Sequence, residues 1–127
     1  KVLVDHDGVF NTESMAGTTE ELWFTDWEFG GNLYANRDLY RQWNPLNFVE
    51  HWRTPMLIVH SQLDYRVDLS EGYQAFTAAK RMGVPAKFLY FPDEGHWVLK
   101  PANSELWHKT VFGWLAGYLK STVQGSR

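Results

Sequence analysis

Pro55-Met56-Leu57-Ile58-Val59-His60-Ser61-Gln62-Leu63-Asp64 begins as an apolar, β-branched run and ends in a turn that carries a carboxylate. The run has the length and composition of a buried strand, and the turn-formers after it place Asp64 where that strand emerges. A second stretch, Ala86-Lys87-Phe88-Leu89-Tyr90-Phe91-Pro92-Asp93-Glu94-Gly95-His96, repeats the arrangement with an imidazole at its end. Between them, Ser70 to Met82 reads as a helix. Ser70 can cap it, Tyr73, Phe76, Ala79 and Met82 mark an inner face, and Gly83 with Pro85 ends it. A strand, helix, strand crossover makes the two strands parallel and close together. Asp64 and His96 then share one sheet edge. That is the orienting half of an acid, imidazole and hydroxyl triad.

The hydroxyl half is harder to find. Enzymes that build such a triad on a parallel sheet hold the serine on a Gly-x-Ser-x-Gly turn that precedes the acid and the histidine. The serines here are Ser14, Ser61, Ser70, Ser104, Ser121 and Ser126, and none is flanked by glycines at that spacing. Two readings follow: the chain is a piece of something longer, or the pair performs no triad chemistry. Lys1-Val2-Leu3-Val4 favours the first, because it starts without an initiator Met and directly inside a strand-like run.

Outward from this core, Asp5-His6-Asp7-Gly8 reads as a loop after the first strand, and residues 9–34 are irregular, with Gly17, Gly30 and Gly31 as breakers. Ala35 to Trp43 predicts a short helix stopped by Asn44-Pro45. So long an excursion at the carboxyl edge of a parallel sheet is a place for specificity elements. The last helix is expected from Asn103 or Ser104, with Trp107, Val111, Trp114, Leu115 and Tyr118 as its apolar stripe and Lys120 complementing its carboxyl end. The fold class is therefore α/β, with parallel strands covered by helices, the last third of a doubly wound sheet.

The 127 residues carry a formal net charge of -3 and a pI near 5.9, without the basic stripe that a phosphate backbone requires. No nucleic-acid partner is expected. No apolar run approaches the roughly 20 residues that span a bilayer, so no membrane partner is expected either. The absence of cysteine removes disulfides, thiol catalysis and thiolate metal sites, and leaves the compartment open. Aromatic residues make up 17%, many between Phe10 and Trp52, where periodicity is poor. They either line a cleft or interface, or pack against parts of a longer protein.

Three segments carry a family resemblance: Trp43-Asn44-Pro45, Thr54 through Val67, and Phe91-Pro92-Asp93-Glu94-Gly95-His96. They resemble the C-terminal part of the catalytic domain in the prolyl oligopeptidase family of serine peptidases, which has the α/β-hydrolase fold. The whole chain, including His6-Asp7-Gly8-Val9-Phe10 and Phe29-Gly30-Gly31, is most similar to the fungal dipeptidyl peptidase 5 group of that family. The resemblance implies that Asp64 is the catalytic acid, that His96 is the catalytic base, and that Arg66 and Val67 face the substrate. It implies a nucleophilic serine and a β-propeller upstream, release of dipeptides through an acyl-serine intermediate, no cofactor or metal, and a secreted setting. Ser61 departs from the pattern, since many relatives have Gly there.

Other residues read more plainly. His60 ends a buried run and is expected to pack and bond backbone. Asp5, His6 and Asp7 are metal-ligating types, but adjacent residues point in different directions, and a loop bonding its own backbone is expected. His51 and His108 are expected in solvent. Glu13, Glu20, Glu21, Asp26 and Glu28 form a solvated acidic face, from which one carboxylate could grip a substrate's amino terminus. Beside the peptidase stand an esterase or lipase-like hydrolase and an aromatic-rich binding module without chemistry.

Overall fold

The computed structural model describes residues 1–119. Among them, three parallel strands form one sheet in the order β1 (Leu3–His6), β2 (Met56–Ser61), β3 (Ala86–Phe91). Leu3 is in register with Met56 and His6 with Val59, while Met56 faces Ala86 and Ser61 faces Phe91. The first strand therefore runs further than the sequence predicts, taking in Asp5 and His6. Its ladder with β2 decides this: Leu3 N–H donates to Pro55 at 2.9 Å, and Asp7 N–H donates to Val59 at 3.0 Å. Backbone pairing in a parallel ladder tolerates polar side chains near the strand end.

The helices are α1 (Thr12–Thr18), α2 (Leu22–Glu28), α3 (Arg37–Gln42), α4 (Leu69–Arg81) and α5 (Pro101–Leu119), with a 3₁₀ segment at Pro45–His51. The stretch expected to be irregular thus holds α1 and α2. Each is only seven residues, too short for a helical period to register. The Asn11 side chain caps α1 by accepting from Glu13 and Ser14 N–H.

Every residue of β2 is buried, and its alternating side chains enter two cores. Met56 and Ile58 pack with Phe10 and Ala75, flanked by Trp52, Phe76 and Phe88. Leu57 and Val59 pack on the other face with Phe91 and Val111, flanked by Trp107, Trp114 and Leu115. Helix α4 covers the first face and α5 the second.

The cap of α4 is Asp68, which accepts from Ser70 N–H at 3.0 Å, and its inner face differs from the expected one. Gly72, Ala75 and Ala79 are buried there, whereas Tyr73 and Met82 are exposed. Small residues let the helix axis approach β2 closely, and the bulky ones flank the contact. Helix α5 begins at Pro101, a residue suited to the first helical position, and Ser104 N–H already closes a helical turn to Lys100 at 2.8 Å. Of its expected stripe, Tyr118 stays largely exposed, and Lys120 lies outside the described residues. Among the described residues, no helix is long and apolar enough to cross a membrane.

Candidate active site

The turn after β2 and the turn after β3 are tied together at the carboxyl edge of the sheet. Gln62 N–H donates to Phe91 at 2.8 Å, and Leu63 N–H donates to Glu94 at 3.0 Å. This brings Asp64 and His96 together across 32 residues of sequence: His96 Nδ1 donates to Asp64 Oδ2 at 2.9 Å. Asp64 is 1% exposed, and its Oδ1 accepts from Arg66 N–H at 3.0 Å and Val67 N–H at 2.9 Å. A buried carboxylate with three donors has its desolvation offset and its orientation set. Because a carboxylate can only accept, the proton of neutral His96 sits on Nδ1 and the lone pair on Nε2. The imidazole keeps 28% of its side-chain surface open while the acid stays dry.

Two residues brace these turns. His60 is fully buried, with Nε2 2.8 Å from the Val67 carbonyl and 3.7 Å from Asp64 Oδ2, in keeping with a packed, backbone-bonded histidine. Its ring occupies the space above Gly72, where a Cβ would fall 2.8 Å from Nδ1. Glu94 is the second brace. Burial pushes its carboxyl up, but the side-chain amide of Asn103 and the N–H groups of Leu99 and Lys100 more than compensate, and it ends below the usual carboxylate range. It fastens the His96 turn to the start of α5. Neither the Asn103 bond nor the burial of Glu94 has a signature in local sequence.

The end of β1 closes the third side. Asp5 is half-buried, its carboxylate against Gly8, and desolvation pushes that carboxyl up from the ordinary range despite His60 nearby. Asp7 has φ +53°, the one positive φ outside glycine among the described residues. Its Oδ2 lies 3.1 Å from His6 Nε2 and 3.8 Å from His96 Nδ1. Asp7, His60 and Asp64 offer ligand-type atoms within 4.8 Å of one another. Two of the three are committed, however: His60 Nε2 to the Val67 carbonyl and Asp64 Oδ2 to His96. The donor set is that of a hydrogen-bond network.

Arg66 reaches across the mouth of the site. It pairs with Glu21 at 3.1 Å and lies 5.7 Å from the centre of the Trp97 ring. A cavity of ≈ 210 Å³ opens between Arg66, His96 and Trp97. Val67 is 5% exposed, and both its backbone groups are used inside the turn. A larger cleft of ≈ 440 Å³ lies among Val9, Met15, Phe24, Phe29 and Trp43, with Glu28 at its wall, so part of the aromatic excess does line a cleft. The acidic face is partly paired: Glu13 is bonded by Arg37 and Arg41, which hold its carboxyl below the usual range. His51 and His108 are exposed, beside Glu50 and the Ser104 carbonyl respectively.

With this geometry in view, comparison with known proteins is decisive about ancestry. Residues 1–122 match the prolyl oligopeptidase family of peptidases. The chain belongs to that family. Among its relatives, dipeptidyl-peptidase 5 of Schizosaccharomyces pombe is 50% identical over 120 residues, which are 94% of this chain and 18% of the relative. Dipeptidyl-peptidase 5 of Porphyromonas gingivalis is 43% identical over 121 residues, 92% of this chain and 18% of that protein. The chain thus spans less than a fifth of the length of the curated relatives it matches. In three dimensions, acylaminoacyl peptidase of Pyrococcus horikoshii superposes with a TM-score of 0.84 at 22% identity, covering 98% of this chain and 21% of the other. A puromycin-hydrolyzing peptidase of Mycobacterium tuberculosis gives 0.84 at 18% identity, covering 99% of this chain and 20% of the other. The fold is α/β, a portion of an α/β-hydrolase fold.

Proposed function

We propose that this chain is the C-terminal part of a serine exopeptidase of dipeptidyl-peptidase type, to which it supplies the catalytic acid Asp64 and the catalytic base His96. The observation that carries the reading is the 2.9 Å bond from His96 Nδ1 to a buried Asp64, made between the ends of two neighbouring parallel strands. His96 Nε2 takes the proton of a serine hydroxyl as that oxygen attacks the peptide carbonyl, then returns it to the leaving amine. Asp64 stabilises the imidazolium in between and stays ionised. Water repeats the cycle on the acyl-serine. The serine belongs to the remainder of the parent protein, and the 127-residue chain alone is inactive. Arg66 is the substrate contact at the mouth of the site. Val67, expected beside it, serves through the backbone groups that shape the acid turn. The relatives named dipeptidyl-peptidase 5 support the release of dipeptides, and a secreted parent is part of the same proposal.

The test uses the full-length protein that carries this sequence. It is treated with a serine-directed fluorophosphonate and assayed on dipeptide amides and simple acyl esters, beside a His96→Ala variant. Labelling that falls in the variant, with dipeptides released from peptide amino ends, is the expected result. Hydrolysis of esters without dipeptide release would assign the site to esterase chemistry. An unlabelled, folded protein that binds peptides equally well with and without His96 would overturn catalysis altogether. Detection of the protein in cells but never in the medium would refute the secreted setting.

A further inference from the structure

Asp7 is not accounted for by the pair just described. It directly follows β1, its N–H extends the ladder to Val59 at 3.0 Å, and it is 8% exposed. Its backbone sits in the left-handed region at φ +53°, which costs free energy for a residue with a side chain and is retained where the position is used. That conformation turns the carboxylate inward, so that Oδ2 lies 3.8 Å from His96 Nδ1 while Oδ1 has no partner among the described residues. The same Oδ2 is 3.1 Å from His6 Nε2, without the alignment of a hydrogen bond, so Asp7 lies between two imidazoles.

We propose that Asp7 is a second carboxylate for His96, a positioning residue that shares the imidazolium with Asp64. The other charges around His96 do not do this. From the loop after β2, Asp64 holds Nδ1 directly and Arg66 is drawn off to Glu21. His60, at the end of β2, is tied to the Val67 carbonyl. In the turn that carries His96, Asp93 is paired with Lys100 and Glu94 is spent on Leu99, Lys100 and Asn103. On β1, the half-buried Asp5 carboxylate packs against Gly8. Asp7 alone among these brings an anionic oxygen within 4 Å of His96 Nδ1 without a bond of its own to a backbone donor. A carboxylate at that range favours the protonated imidazole. When the imidazolium forms, Asp64 keeps the linear bond and Asp7 adds charge from the side.

Its value for turnover rests on the proposed peptidase function, but the pairing is measurable without turnover. Diethyl pyrocarbonate acylates the neutral imidazole, and peptide mass spectrometry resolves the modified histidine. In the full-length protein, the rate at His96 is followed between about pH 5 and 8 for the parent, Asp7→Asn and Asp7→Gly. Asn and Gly both tolerate the left-handed backbone, so either folded variant isolates the charge. The pH of half-maximal reactivity at His96 falls by about one unit in the variants, and that of His6 falls with it. His51 and His108 stay unchanged and serve as internal standards. The acid limb of kcat/KM moves down by the same amount. A His96 profile identical in parent and variants overturns the proposal, even in an active enzyme. A shifted profile in a protein that cleaves no peptide overturns the peptidase reading and leaves the second carboxylate standing.

Discussion

At Asp64, one oxygen holds its own turn in place and the other orients His96, so a substitution that keeps shape and removes charge separates the two duties. Asp64→Asn in the full-length protein keeps the fold and lowers kcat by about 10⁴-fold with little change in KM, because the amide donates where a carboxylate accepts and selects the wrong tautomer. Steady-state kinetics beside a circular dichroism spectrum checks this. Asp5 gives a prediction of the opposite kind. Its raised affinity for a proton means that the native state binds more protons than the unfolded chain between the ordinary and the raised pKa, so this residue's contribution to stability falls as pH rises through that window. Asp5→Asn therefore raises Tm at neutral pH, and the gain disappears below the ordinary carboxylate range; thermal melts across pH decide it. Asp64 and His96 were legible in sequence because each ends a strand-like run and one helix separates them. Asp7 and Glu94 were not, because what distinguishes them is a partner on another element: His96 for the first, the start of α5 for the second.

At the scale of elements, the decisive joint is Glu71 on α4. It is fully buried and accepts from Phe10 N–H at 3.0 Å, from Asn11 N–H at 2.6 Å and from the Ser14 hydroxyl, locking the entry of α1 onto α4. Glu71→Gln turns one acceptor into a donor facing other donors and costs about 1–3 kcal/mol, with faster hydrogen exchange confined to residues 9–14. Gly72→Ala, one position on, drives a methyl into the His60 ring and costs about 1–3 kcal/mol in urea unfolding. Both act on α4, whose existence the apolar spacing disclosed. Its inner face was displaced because the reading favoured Tyr73 and Met82 over Gly72 and Ala75, although close approach to β2 selects small residues. The short helices α1 and α2 had no period to disclose. Asn11 ahead of Glu13 and Ser14 was the one local signal, and it is a cap without a stripe.

For the whole molecule, the parallel pairing of β2 with β3 was legible because Met56–Val59 is an apolar run, as a strand covered on both faces requires, and a helical crossover joins the two strands. The long excursion between β1 and β2 was legible only as an excursion. In the isolated 127-residue chain, the outer edge of β1 and the aromatic rings of Trp23, Trp27, Trp43 and Trp97 are exposed, and such surfaces associate. Size-exclusion chromatography of the chain alone is expected to show concentration-dependent oligomers, and a stable monomer would refute this. The excursion meets the segment from β2 to the His96 turn through few polar joints, chiefly Glu71 with Phe10 and Asn11, Glu21 with Arg66, and Glu20 N–H with the Tyr65 carbonyl at 2.8 Å. The chain is thereby divided into a stretch that holds the Asp64–His96 bond and a stretch that can change around it. Insertions and swaps between Thr12 and Trp52 can remodel what enters the cleft while the Asp64–His96 bond travels on a continuous stretch of chain that those changes never interrupt.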